Sequence, residues 1–412
     1  MRQGSGATGE AANVAVAVAT RGVFGDPFAV AQGPTAHLLP TTPLFAGITY
    51  ALLGVRTPLA ESALTFWSVA LVLGSFLIFM RTFGRLGTSR SALLAALTLL
   101  ATVPVYLGQE AVDFRVWEGG LAVFLASVFA YLVVQTDQLP VIAVRRIILI
   151  SAAAAALFFV SPPMGVGAIM CCLILAWRRY NPQQWLVGGL AGLLILATLI
   201  TPWSLRNQRE LGYPILLRSN AGLELALANH DAAVRGTDPL STFESRLREI
   251  HPAESRVAYD TMVRTGGEVT YSRLLGKHAS GWIKANLADF ARLSVRHWAE
   301  FYMPRPWQFR VSGSNNFPEF RSAWASAVGL LGLVGAIVAV VSRKRAWTYL
   351  AILVLVPGVL IMPFQPVPRY TYLNYAILTF FALDLLWRLV PRHSRSALES
   401  RHEAHRADSM LQ

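Results

Sequence analysis

The chain has 412 residues, of which 54% are hydrophobic and only 14% charged, and a formal net charge of +13. That is too apolar for an ordinary soluble domain and too charged for membrane spans alone. The excess of Arg and Lys is explained by loop topology and one large loop, so it calls for no nucleic-acid partner.

Residues 1–61 are punctuated by Gly and Pro. Within them, Ala11–Ala19 is an apolar run of nine residues with Glu10 at its edge, a poor match to a signal peptide. Leu44–Gly54 is apolar but short, which predicts a helix lying on the membrane surface. Apolar runs follow at 62–80, 91–108, 118–134, 147–160, 164–177, 184–201, 322–342, 347–362 and 371–390. They predict an all-α polytopic membrane protein with about nine transmembrane helices. Ser161-Pro162-Pro163 separates the fourth run from the fifth, with Arg145 and Arg146 ahead of the pair and Arg178 and Arg179 behind it. One kinked span would put one arginine doublet on the wrong side, so two helices are expected.

Between 202 and 321 lies a loop of about 120 residues. Its second half reads as two helices. Glu268–Asn286 carries Leu274, Leu275, Trp282 and Ile283 at helical spacing after Gly266-Gly267, and Ala288–Tyr302 is stopped by Pro304 and Pro306. The organisation is therefore a first outer loop with a juxtamembrane helix (1–61), a bundle of about six helices (62–201), the large loop (202–321), three further helices (322–390) and a basic cytoplasmic tail (391–412).

Arg81, Arg85, Arg90, Arg145, Arg146, Arg178, Arg179, Arg343, Lys344 and Arg345 fall on one side of this topology. Only Arg115 and Arg369 fall in short loops on the other. The positive-inside rule makes the first side cytoplasmic and places the long loop outside. Residues 1–61 are then outside with nothing ahead of them that crosses, so a first transmembrane helix preceding the numbered start is expected. Cys171 and Cys172 are adjacent inside a span and match neither metal spacing nor a disulfide framework.

The candidate chemistry collects on the outer side. Carboxylates there are Glu10, Asp26, Glu61, Glu110, Asp113 and Glu118, any one of which could act as a base toward an acceptor hydroxyl. Asp26 precedes Pro27, which also suits a turn, and Glu118 follows Trp117 at a span boundary, which also suits an interfacial anchor. Arg206, at a span exit, and Arg369, just before the last span, stand at the depth of a lipid phosphate, which guanidinium pairs bidentately. His37 could hydrogen-bond a phosphate or sugar. His230 and His278 have no ligand-like spacing, and neither a Gly-rich phosphate loop nor an acidic pair for a nucleotide-bound metal is present. No metal ligands can be named.

Four stretches together resemble a known family: GEAANVAVAVATRGVFGDPF, GPTAHLLPTTPLFAGITYALLG, TPWSLRNQRELGYPILLRSNAGLELALANH and GEVTYSRLLGKHASGWIKANLADFARL. Their order and spacing are similar to those of bacterial GT-C membrane glycosyltransferases. These are the glycosyltransferase family 39-like enzymes related to protein O-mannosyltransferases and to the aminoarabinose transferase of lipid A. The resemblance implies a GT-C fold and a polyprenyl-phosphate sugar donor. It also implies inverting transfer to a lipid, polysaccharide or protein acceptor at the extracytoplasmic face of the cell (inner or plasma) membrane. Carried onto this chain, it makes Glu10, with Asp26, the catalytic carboxylates and Arg206 and Arg369 the lipid-phosphate ligands. His37, Glu118 and Asn207 are further substrate-binding candidates. No cofactor is certain, and the resemblance leaves a divalent metal open. The alternatives are a lipid or glycan flippase, and an inactive truncated homologue.

Overall fold

In the computed structural model, residues 9–106, 108–311, 316–342 and 345–390 are described. Arg343, Lys344 and the tail 391–412 lie outside them. The fold is all-α. Among the described residues there is no strand, only an isolated antiparallel bridge between Gly25 and Pro34.

Each apolar run forms a helix of its own: α3 (Pro58–Arg85), α4 (Arg90–Thr102), α5 (Gly119–Asp137), α6 (Val144–Val160), α7 (Pro162–Arg179), α8 (Pro182–Leu211), α16 (Pro318–Ser342), α17 (Trp347–Ile361) and α18 (Pro368–Leu389). Ser161 has extended backbone and ends α6 before the two prolines that start α7, so this pair is two helices. Among the described residues, α3, α5, α8 and α16 are long and apolar enough to cross a membrane unaided. The others are shorter or more polar, and burial offsets this. α18 is buried along most of its length, and its Asn374 Nδ2 donates to Val354 O at 2.7 Å. Gly332 and Gly335 of α16 are buried against Leu378 and Phe381, which allows close contact with α18. By contrast, the apolar stretch of α8 is wholly unburied and exposes Leu186, Leu190, Leu193 and Leu194, the surface a helix presents to lipid.

The arginine-rich turns meet at one end of the bundle. Arg146 donates to Gln135 Oε1 at 2.7 Å, Arg179 to the carbonyls of Asp137 and Leu139, and Arg178 to Arg345 O at 3.5 Å. The other end carries α1 (Gly9–Arg21), α2 (Thr41–Leu53), a short π-type turn (Gln109–Asp113) and the large loop. α2 buries Tyr50 and Ala46 while exposing Leu44, Phe45, Ile48 and Leu52, an apolar face suited to lying on a bilayer.

The large loop holds α9 (Ala221–Ala228), α10 (Asp231–Arg235), α11 (Pro239–Ile250), α12 (Arg256–Arg264), α13 (Glu268–Ala285), α14 (Leu287–Tyr302) and α15 (Pro306–Val311). α13 and α14 match the two helices expected from periodicity. The other five run 5 to 12 residues, too short for a 3.6-residue period to declare itself. α9 seats directly on α13, and a Cβ on Gly222 would stand 2.0 Å from Ser272 O. Because that neighbour is backbone, Gly222→Ala is expected to destabilise the outer loop by about 2 kcal/mol or more. Gly281→Ala, where an added Cβ meets nothing, is the control. Thermal unfolding followed by tryptophan fluorescence compares the two, and equal midpoints would contradict this packing.

Candidate active site

One cavity of about 1220 Å³ opens at the α1–α2 end of the bundle. Its chemistry comes from segments far apart in the chain. Glu10 stands in the first turn of α1, where the helix dipole favours a carboxylate. His37 follows a loop, Arg218 follows α8, His251 ends α11, and Arg369 sits in the first turn of α18.

Two clamps hold the His37 loop. Glu268, the first residue of α13, accepts from Thr35 Oγ1 at 2.5 Å, Ala36 N at 2.7 Å and Ser219 Oγ at 2.9 Å. On its other side, Arg206 donates to Thr35 O at 2.6 Å and to the Phe24 carbonyl. A buried carboxylate and a guanidinium thereby satisfy backbone groups that would otherwise be orphaned.

Glu10 lies between two imidazoles. His37 Nε2 is 3.5 Å from one carboxylate oxygen and His251 Nε2 is 3.5 Å from the other. Phe28 packs edge-on against both rings. Burial alone would push the Glu10 carboxyl up, but His37, His251 and Arg369 outweigh it and hold the group at about 2. Burial opposes a charge on His37, yet Glu10 and Glu268 raise it, whereas burial lowers His251.

These three residues are a cluster that sequence reading missed. Their donor atoms all lie within 4.8 Å of one another, and one carboxylate with two imidazoles is a donor set for a divalent cation. The expectation that no metal ligands could be named is corrected to that extent. The tautomer argues against ligation here, however. Ala253 N donates to His251 Nδ1 at 3.2 Å, which puts the ring proton on Nε2, the atom facing Glu10. As folded, the set does not fit a metal through that nitrogen. It instead holds the carboxylate between two imidazoles.

The other candidates divide cleanly. Arg369 lines the cavity, its guanidinium carbon 4.3 Å from the centroid of the Trp117 ring. Its buried Nε has no hydrogen-bond partner among the described residues, so it has a donor to spare. Arg206, expected at a lipid phosphate, is spent on the Phe24 and Thr35 carbonyls and is not on the cavity wall. Arg218 lines the wall instead and pairs with Glu118. Glu118 is thus that arginine's partner and stands just before α5. Asp26, expected to be catalytic, is a loop closer. At φ 62° it accepts from Ala31 N and Gly33 N at 2.8 Å each and pairs with Arg21, which leaves its carboxylate occupied. Asn207 is fully buried, donating to Ile215 O at 2.9 Å, so it holds backbone and touches no cavity. His251 was missed because it ends a short amphipathic helix far from Glu10 in sequence. His230 and His278 do not line the cavity.

No protein family matches the chain, and no curated protein matches it. It is similar to a solved structure of ArnT from Cupriavidus metallidurans bound to undecaprenyl phosphate. Identity is 13% and the TM-score 0.34, with 92% of this chain and 73% of that chain covered.

Proposed function

We propose that this protein is an integral membrane glycosyltransferase that moves a sugar from a polyprenyl-phosphate donor to an acceptor hydroxyl or amine at the extracytoplasmic face. One observation carries the reading. Glu10 from α1 and Arg369 from α18 line one cavity, which thereby holds an ionised carboxylate and a guanidinium whose Nε has no partner among the described residues. The resemblance of the four sequence stretches agrees with it.

In this scheme Glu10 accepts a hydrogen bond from the acceptor and aims its lone pair at the anomeric carbon. A carboxylate held at about 2 is a weak base, so it takes the proton late, as the new C–O or C–N bond forms. The bond from the anomeric carbon to the phosphate oxygen breaks on the opposite face, which inverts the configuration. Its electron pair leaves on the lipid phosphate, where Arg369, with Arg218 nearby, stabilises the developing charge. The cavity, at about 1220 Å³, has room for two substrates at once.

The test is reconstitution into liposomes with a panel of polyprenyl-phosphate sugars and an envelope extract as acceptor. Release of polyprenyl phosphate coupled to labelled product is the expected result. Lipid crossing the bilayer of sealed vesicles without any sugar transfer would replace this reading with a flippase.

A further inference from the structure

A second groove of about 860 Å³ lies on the far side of α9 from the cavity. The two sites share that helix as a wall. Asn220, Glu224 and Leu227 face the cavity, while Ala221, Gly222 and Leu225 face the groove. The groove lies near the ends of two apolar helices, because Tyr213 stands two residues after α8 and Phe364 three residues after α17.

Its lining has two chemistries. Arg273, Lys277 and Lys284 project from one stripe of α13, since spacings of four and then seven residues return to the same helix face. From first to last the stripe covers about 16 Å of helix. No ion pair holds any of the three among the described residues, and no carboxylate lines the groove. Arg273 stacks over the Tyr213 ring, its guanidinium carbon 4.2 Å from the centroid. Leu225, Leu274 and Phe364 form an apolar floor beneath these charges. Helical spacing alone would turn Leu274 inward, yet it is 37% exposed here. A merely solvated basic face would not carry such a floor. The exposed leucines Leu186, Leu190, Leu193 and Leu194 belong to α8, the helix whose outer end Tyr213 follows, so the groove stands at the end of an apolar, unburied helix.

We infer that this groove binds an anionic phospholipid from the adjoining leaflet, with its phosphate on Arg273, Lys277 and Lys284 and its chain against Leu225, Leu274 and Phe364. Charge complementarity selects the anionic headgroup, and the apolar floor selects a lipid over a soluble anion. The inference does not depend on sugar transfer at the neighbouring cavity.

The experiment purifies the full chain from mixed vesicles of phosphatidylcholine and phosphatidylglycerol and counts retained lipids by native mass spectrometry. Wild-type protein is expected to retain phosphatidylglycerol over phosphatidylcholine by about tenfold. The K277E/K284E double variant is expected to lose that preference, and the neutral K277Q/K284Q pair to lose most of it. R292E, which reverses an exposed charge on α14, is expected to keep it. Size-exclusion elution matching the wild type shows that each variant is folded. No preference in the wild type overturns the inference, as does an equal loss in R292E or an unchanged preference in both double variants.

Discussion

Replacing Glu10 by Gln is expected to lower sugar transfer by about a hundredfold or more while leaving the protein folded. The substitution preserves size and one oxygen but removes the charge that the acceptor proton needs. General-base contributions typically span 10² to 10⁴ in rate. The loss belongs in kcat if, as proposed, the donor's phosphate is held by Arg369 and not by Glu10. His251→Phe removes the Nε2 proton facing Glu10 while keeping a ring, and is expected to cost about tenfold, since the carboxylate stays and only its orientation suffers. Kinetics of both variants in liposomes decide the matter. If E10Q retained transfer within about threefold of wild type, Glu10 would be a structural residue and the cavity would need another base.

The second prediction separates two arginines that look alike in sequence. Arg369→Gln is expected to lower transfer by about 10² to 10³, the scale for removing a preorganised donor from developing charge, with little change in thermal midpoint. Among the described residues its Nε has no partner to abandon. Arg369→Lys restores charge without the bidentate fork and is expected to recover only part of the rate. Arg206→Gln should behave in the opposite way. It strips a charged donor from the buried carbonyls of Thr35 and Phe24, at a cost of about 2–3 kcal/mol, so the thermal midpoint falls. Any activity lost there follows from a loosened His37 loop. Thermal unfolding and transfer kinetics measured side by side test both. An R206Q protein of full stability but no activity would return Arg206 to the phosphate.

The contrast shows what the sequence could and could not disclose. Hydropathy located every bundle helix, because apolar runs bounded by arginines leave few alternatives, and the Ser-Pro-Pro break between α6 and α7 was legible for the same reason. Glu10, at the edge of an apolar run, and Arg369, just before the last span, were legible as polar groups at the ends of helices, and both line the cavity. The hydrogen bonds of Arg206 and Asp26 were not legible, because residue type and depth do not reveal which groups a side chain has already satisfied. Asp26 closes on Ala31 N and Gly33 N, a local turn that Asp-Pro hinted at. The partners of Arg206 are more than 170 residues distant and left no local trace. His251 was invisible on the same ground. Its role comes from proximity to a residue some 240 positions earlier, which no spacing rule covers.

That long reach also bears on how the protein is made. The candidate site draws on α1, the His37 loop, the segment after α8, the end of α11 and the head of α18. A ribosome delivers these pieces in order, and Arg369 emerges among the last. Contacts between segments this far apart carry a large closure entropy and form late. While the chain is still being threaded into the bilayer, Glu10 has neither its imidazoles nor its facing guanidinium. The cavity's cluster of carboxylate, imidazoles and guanidinium is therefore complete only when the final helix docks.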